Sequence, residues 1–597
     1  MASIVRTRER LDTMATRARV VSVLVGIALA GIAGTYWWVQ GLHGPEYREL
    51  ADNNRLRRFP IRAPRGVVSD RDGRPLAENV PSYNLLLEPD ASNDVKRSLA
   101  FAGSILETDP EQLHRLLVAH RRERPVEPAL IAENLTLAQV ARFELAALEH
   151  PEFEIDVQQL RLYRHREQTA HVLGYLAEAG PQDLTGGEYE RGDMIGRRGI
   201  ESQFERQLRG KDGERVVVVD SRGRAVDEYP PTQPTPGTNL QLAIDLDLQQ
   251  TAQRLLEDKV GAVVALDPRN GEILVLASAP SYDPNLFARR LRADDWMRLI
   301  TNPNNPLQNR AIQNTMAPGS TFKPLMALAG LAEGVVTPQT RFFCPGYGVF
   351  YGHVHRCWRP EGHGSVDLRS AIKNSCDVYF YNVGQRLGIE RIARYSRKFG
   401  LGAVTGIDVP GEKAGLVPDA AWSRAVRKQP WYLGETISVA IGQGPVLVSP
   451  LQMAVAMAAI ANGGHRPTPH LVEHAAPMPA VAGIPASAWA AVRQGMQAVV
   501  DSGTGYAAHI PGLTIGGKTG TAQVVAQRTR TRAEDLSYET RDHAWFVSFA
   551  PVEDAQLVVV VFIEHGGHGA SAAAPVAKGI YEELLKKRPD LRVAPPA

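Results

Sequence analysis

The residues able to do chemistry fall in three short stretches. The first is Ala317-Pro318-Gly319-Ser320-Thr321-Phe322-Lys323-Pro324. A serine and a lysine three residues apart share one face of a helix. Pro318 and Gly319 break what precedes, and the apolar run Leu325-Met326-Ala327-Leu328-Ala329 follows. A helix is therefore predicted to begin here, with Ser320 over the positive end of its dipole. Lys323, one turn on, can take the hydroxyl proton if burial or a neighbouring cation lowers its pKa. The second stretch is Lys373-Asn374-Ser375-Cys376-Asp377, and the third is Gly517-Lys518-Thr519-Gly520-Thr521. A lone serine–lysine pair is a weak signal that surface helices carry by chance. Three such pieces in order, S-x-x-K, S-x-D and K-T-G, point to nucleophilic acyl chemistry with Ser320 as nucleophile. Two cations near one hydroxyl, Lys323 and Lys518, would lower each other's pKa and favour a neutral lysine base.

Cys344, Cys357 and Cys376, with His363 between the last two, follow the pattern C-x12-C-x5-H-x12-C. Three thiolates and an imidazole are a structural zinc set. Cys376 lies inside the second catalytic stretch, so a metal there would pin Ser375 and Asp377 against the 341–367 segment. Two other readings stand beside it: a Cys344–Cys357 disulfide with Cys376 a buried thiol, or three unrelated cysteines. An odd cysteine count weighs against disulfides alone.

The elements that must position these residues begin with an anchor. Arg6, Arg8, Arg10, Arg17 and Arg19 precede an uncharged, mostly apolar stretch over 20–39, ending in Tyr36, Trp37 and Trp38. Its length suits a membrane-crossing helix. The arginines place the N-terminus in the cytoplasm and the aromatics at the outer interface. Ala28-Leu29-Ala30 falls mid-run, so an uncleaved anchor is expected rather than a signal peptide. The resulting plan is a cytoplasmic tail (1–19), a transmembrane helix (20–40), a stalk and pedestal (41–237), a catalytic domain (238–590) and a loose tail (591–597). The proline-rich stretch 230–237 marks the main boundary.

Within the pedestal, Val67-Val68, the Asp72-Gly73 turn and Leu76-Ala77 read as a hairpin, and helices are expected after Thr108 and Thr136. The second helix carries Val140, Phe143, Ala147 and Leu148 on one stripe. In the catalytic domain, the runs 261–266 and 272–278 flank a turn, 341–367 reads as loops, and strands return around Lys518, Trp545 and Leu557. The expected fold class is α+β, an antiparallel sheet covered by helices. The 597-residue chain is 44% hydrophobic and 22% charged with net charge +2, an ordinary globular balance without a nucleic-acid signature.

These residues resemble the class B penicillin-binding proteins, and most of the chain takes part. Arg65-Gly66 to Asp70-Arg71-Asp72-Gly73 and Gly196 to Glu201 look like their pedestal signatures. The Gly362-His363-Gly364 turn, Trp431 to Thr436 and Gly442-Gln443-Gly444 resemble the elongation-type branch; Asp377 stands where the general family carries asparagine. The resemblance implies a membrane-anchored peptidoglycan D,D-transpeptidase of the inner membrane, with its catalytic domain in the periplasm. Ser320 would attack the carbonyl between the terminal D-alanines of a stem peptide, with Lys323 as base and Ser375 and Lys518 as proton relay. Thr519, Gly520 and Thr521 would bind the substrate, with Lys518 and the Thr519 and Thr521 hydroxyls on its carboxylate, and the Ser320 and Thr521 N–H groups would form the oxyanion hole. β-Lactams would enter by the same attack. No glycosyltransferase-like stretch precedes residue 240, which implies a partner polymerase of the SEDS family and other elongation-complex proteins. A carboxypeptidase, a β-lactamase and a division-type transpeptidase share the three motifs. The pedestal argues against the hydrolases, and the short segment before the helix argues against a signalling receptor.

Overall fold

A computed structural model describes every residue except 1, 46, 48–54, 90, 93, 124–127, 220–224, 290, 473–477, 525–536 and 593–597. Most of the expected C-terminal tail thus lies outside the described residues. The chain forms two compact units, Met1–Pro64 with Gly210–Gly237, and Arg65–Arg209 with Thr238–Ala597.

The first unit holds the helix Ala2–Trp37, continued by one π turn at Trp38–Leu42. Its segment Thr13–Leu42 is long and apolar enough to cross a membrane, and its side chains are exposed. The residues taken from the sequence as a stalk are partly strand: Leu56–Ile61 pairs antiparallel with Gly213–Val219, which pairs in turn with Ala225–Glu228. The β-branched run Val216–Val219 is the seed, and 56–61 (Leu-Arg-Arg-Phe-Pro-Ile), with adjacent arginines and a proline, gives little periodic sign that it will join.

In the second unit, the pedestal part is a five-stranded sheet. Val68–Ser69 and Pro75–Leu87 form the expected hairpin, and Phe153–Tyr163 pairs with Pro75–Leu87 from Ala77 to Leu87. The Asp70 carboxylate accepts the N–H groups of Asp72 and Arg74 inside the turn. Leu240–Gln241, beyond the proline-rich stretch, lies parallel to Val68–Ser69 and ties the two parts of the unit together. The helix Leu137–Leu145 begins with the Thr136–Gln139 capping box. It stops earlier than the apolar stripe predicts, leaving Leu148 98% exposed. The chain turns there to bring Phe153 against Phe101 and Phe143. The two pedestal signatures meet in the interior. Arg65 donates to Glu201 (2.7 Å) and Glu205 (2.6 Å), and Arg161 donates to the other Glu201 oxygen (2.7 Å). Glu201 is fully buried, so each cation needs its carboxylate.

The catalytic part centres on an antiparallel sheet in the order Ile273–Ala279, Gly261–Leu266, Leu557–Ile563, His543–Ala550, Gly516–Ala522. All five strands are buried on both faces. Val263, Ala265, Val559 and Val561 pack with the helices Leu246–Leu255 and Ala574–Lys587. Their alternates Val264, Val558 and Val560 pack with Lys323–Ala332 and Pro450–Ala461. Such strands read as continuous apolar runs, which is how they appear in the sequence. The 341–367 segment is not the expected loop but two small ribbons, Phe342–Cys344 with Gly364–Val366, and Tyr347–Phe350 with His353–Arg356. The second turns at Tyr351 (φ 52°) and Gly352 (φ 83°). Positive φ at both central residues is the tight hairpin turn, disguised here by a tyrosine at its first position.

Candidate active site

Ser320 lies in a 3-10 turn, Gly319–Phe322, and the α-helix begins only at Lys323. Pro324 is the reason. It has no N–H to give the Ser320 carbonyl, so the Lys323 N–H takes that carbonyl one residue early. In this tighter turn the side chains of Ser320 and Lys323 eclipse. Ser320 is part-exposed, whereas Lys323 and Lys518 are both fully buried.

The three stretches converge. Lys323 Nζ donates to Ser375 O (2.8 Å), Ser375 Oγ (3.1 Å) and Asp377 Oδ1 (2.6 Å). Lys518 Nζ donates to the same Ser375 Oγ (2.9 Å) and to Thr519 O (3.0 Å). One hydroxyl therefore bridges two amines. Among the described residues, no hydrogen bond joins the Ser320 hydroxyl to Lys323, whose three N–H bonds are all engaged. The expected effect of one lysine charge on the other acts on Lys518. Lys323 has a carboxylate partner. Lys518 has none in contact, and burial, reinforced by the Lys323 charge, holds its pKa well below the ordinary lysine value. Burial pushes the Asp377 carboxyl up, against the opposing pull of Lys323.

The backbone explains how Ser375 reaches both lysines. The helix Leu368–Lys373 ends with Ser375 N–H donating to Ile372 O (3.2 Å) and Cys376 N–H to Ala371 O (2.9 Å). This is a Schellman ending with Ser375 at the left-handed position, φ 54°, where glycine is usual. A serine there bears strain of the kind found at functional sites. The next helix, Asp377–Lys398, starts at once, and Trp358 N–H donates to Asp377 Oδ2 (2.8 Å).

The third stretch is the strand Gly516–Ala522. Gly319 packs directly on it: a Cβ there would lie 2.6 Å from Thr521 O. The Gly442 turn locks the other side, with Gly319 N–H donating to Gly442 O (2.9 Å). The Gln443 amide donates to Thr521 O (2.9 Å) and accepts from Gln523 N–H (3.3 Å). The Thr519 hydroxyl shares a hydrogen bond with Thr504 (2.8 Å). Trp358, Gln443 and Thr504 are positioning residues to which sequence reasoning assigned no role. The only signs were the glycines flanking Gln443 and Thr504.

Cys344, Cys357, His363 and Cys376 also meet, their ligand atoms all within 4.8 Å of one another. His363 Nδ1 lies 3.7 Å from Cys344 Sγ and 3.5 Å from Cys357 Sγ. A tetrahedral zinc with ordinary bond lengths sets sulfur and nitrogen about 3.5 Å apart, so the donor set fits that ion in chemistry and spacing. Hydrogen bonds from Cys376 and His363 pull the Cys357 thiol well below its ordinary value. The cluster flanks the second motif on both sides, through Cys376 itself and through Trp358.

A buried lysine–serine–lysine relay beside a part-exposed serine, on a five-stranded sheet with a pedestal, defines a class of serine acyltransferase. Residues 261–582 match the penicillin-binding protein transpeptidase domain and residues 60–242 the penicillin-binding protein dimerisation domain. The chain belongs to the penicillin-binding protein transpeptidases. Within that family its relatives are the PBP2 proteins. It is 37% identical to the peptidoglycan D,D-transpeptidase MrdA of Acinetobacter baumannii, over 95% of this chain and 87% of that protein. Its structure resembles PBP2 in the complex with MreC from Helicobacter pylori, with TM-score 0.80 at 29% identity, covering 89% of this chain and 99% of that one. A chain from a peptidoglycan synthase complex that coordinates polymerization and crosslinking matches with TM-score 0.73 at 34% identity, over 95% of this chain and 98% of that one.

Proposed function

We propose that the chain is an elongation-type peptidoglycan D,D-transpeptidase working through a Ser320 acyl-enzyme. The observation carrying this reading is the Ser375 hydroxyl held between the amines of Lys323 and Lys518. With Lys323 paired to Asp377 and Lys518 the depressed amine, Lys323 can pass a proton through Ser375 Oγ to Lys518 and so become the base for Ser320. Ser320 Oγ then attacks the carbonyl between two terminal D-alanines, and its proton goes to Lys323. The N–H groups of Ser320 and Thr521 receive the oxyanion. As the tetrahedral intermediate collapses, the C–N bond breaks and the leaving D-alanine amine takes a proton from the relay. Lys518, Thr519 and Thr521, on the strand containing Gly520, bind the terminal carboxylate. An acceptor amine then attacks the ester, forms the cross-link and returns Ser320. A β-lactam acylates Ser320 by the same steps, but its leaving nitrogen stays tethered.

Zinc, held by Cys344, Cys357, His363 and Cys376, is read as structural: it would fix Cys376 and, through Trp358, the carboxylate of Asp377. The N-terminal helix is read as a single-pass inner-membrane anchor, N-terminus inside, with the catalytic part in the periplasm. Partners of the elongation complex, including a SEDS-family polymerase, are inferred from the structural relatives that carry MreC or belong to a synthase complex. Incubation with fluorescent penicillin tests the core of the reading. The parent should take a stable covalent label and Ser320→Ala none; a labelled Ser320→Ala would refute the assignment.

A further inference from the structure

A cavity separate from the catalytic cluster shares no lining residue with it. It encloses about 830 Å³ where the pedestal part meets the catalytic part of the second unit. That volume suits an organic ligand. One wall is aromatic. Tyr175 stacks on Phe287 at 3.9 Å, and Tyr282 stands edge-on to both, while Trp296, on the exposed helix Ala293–Ile300, also lines the space.

The polar lining consists of donors and neutral groups, with no carboxylate among the described residues. Arg197 is committed to Asp183 at 2.7 Å. Its neighbour Arg198 is exposed, and among the described residues no hydrogen bond or ion pair engages its guanidinium. His171 also lines the cavity; it is 6% exposed, and its Nε2 is buried with no hydrogen-bond partner. Burial pulls this ring down to about 4, so it is neutral at physiological pH. The Gln313 carboxamide oxygen accepts from Asn309 N–H, leaving its NH₂ turned to the cavity residue Gly411. An uncompensated cation beside an aromatic wall calls for an anion with an apolar or sugar face.

We infer that this cavity is a second peptidoglycan site, which binds a muropeptide non-covalently with a peptide carboxylate on Arg198 and a sugar or aliphatic face on the Trp296–Tyr175 wall. The inference rests on the proposed function for the ligand class: stem peptides carry free carboxylates, and pyranose rings present C–H faces to aromatics. Arg198 comes from the pedestal and Trp296 from the catalytic part, so bound product would contact both.

The test uses the full-length protein in detergent with Ser320 blocked by penicillin. The probe is a disaccharide tetrapeptide, which lacks the D-alanyl-D-alanine donor bond, and its binding is followed by ligand-observed NMR titration. The blocked parent should bind it saturably. Arg198→Ala, Trp296→Ala and amidation of the probe's carboxylates should each weaken binding at least about tenfold. Penicillin acylation of both variants should stay at the parental rate, which also shows that they fold. No saturable binding by the blocked parent, or equal binding by Arg198→Ala or by the amidated probe, overturns the inference. Penicillin labelling is read separately, so a normally labelled parent that ignores the probe removes this site and leaves the transpeptidase standing. An unlabelled parent counts against the transpeptidase, and Arg198→Ala still reports on the cavity.

Discussion

Gly319→Ala is the sharpest test of how the nucleophile is held. Gly319 has φ 54°, and its missing Cβ would lie 2.6 Å from Thr521 O, 2.9 Å from Thr521 C and 3.2 Å from Thr521 N. Two costs follow. The left-handed backbone costs an alanine about 1–2 kcal/mol. The contact is with main chain in an edge strand paired along its length with His543–Ala550, so no side chain can swing away. Opening it to van der Waals distance needs a shift of roughly 0.7 Å between the Ser320 turn and the strand Gly516–Ala522. A displacement near 1 Å in a catalytic constellation costs about 100-fold in rate. Gly334→Ala separates the two costs: Gly334 has φ 64° but nothing within 4 Å of its added Cβ. The assay is the second-order rate of acylation by fluorescent penicillin, beside a thermal melt. Gly334→Ala should melt slightly below the parent and acylate at the parental rate. Gly319→Ala should lose at least about 30-fold in acylation while remaining folded. If Gly319→Ala acylates within about threefold of Gly334→Ala, the close packing of the nucleophile turn on the third motif does not set the reaction geometry, and the reasoning fails.

Acylation should fall as the pH drops through the depressed pKa of Lys518, because proton transfer needs its neutral form; the acid limb should lie below 10.5, and Lys518→Arg should abolish it with about 100-fold loss of rate, read from pH profiles of labelling. The same depression means that the unfolded chain binds the extra proton between the two pKa values, so this residue's contribution to stability rises with pH up to that of free lysine. Glu201→Gln leaves Arg65 and Arg161 in the pedestal interior short of a counter-charge, and should destabilise by about 3 kcal/mol in a melt while leaving acylation at low temperature unchanged. Purified protein should carry about one zinc per chain, and Cys344→Ser should lose the metal, lower the melting temperature and slow acylation; zinc-free parent protein would refute the metal reading.

The residue types that do the chemistry were legible because each is scarce in its setting: a buried lysine one turn from a serine, and a lysine between glycines in a strand. Their division of labour was not. The carboxylate that pairs with Lys323 comes from Asp377, 54 positions away, and the depression of Lys518 comes from burial beside that lysine. Gln443, Thr504 and the Trp358 main chain act through carbonyls, hydroxyls and N–H groups that leave no residue-type signature. Ser375 concealed its own geometry, since a left-handed helix ending is announced by glycine and here carries serine. The sheet was readable from its apolar runs. The strand Leu56–Ile61 was not, because its pairing is supplied by a segment more than 150 residues away and its own sequence does not alternate and contains a proline.

Two separate clamps meet at the reacting serine. Gly319, Gly442 and Gln443 hold the first motif against the third through main-chain contacts. The Schellman turn, Trp358 and the cysteine–histidine cluster hold the second motif. Lys323 and Lys518 tie the two together: all three Lys323 N–H bonds, and one from Lys518, go to the second motif. For Lys323 to receive the Ser320 proton it must first give one up, and Ser375 Oγ is the acceptor that already touches Lys518. The acylation rate is therefore set by the position of Ser375 relative to the two lysines as much as by Ser320 itself. Substitutions in the Trp358–Cys376 support, which never touch substrate, should act on acylation and leave the affinity for the carboxylate unchanged.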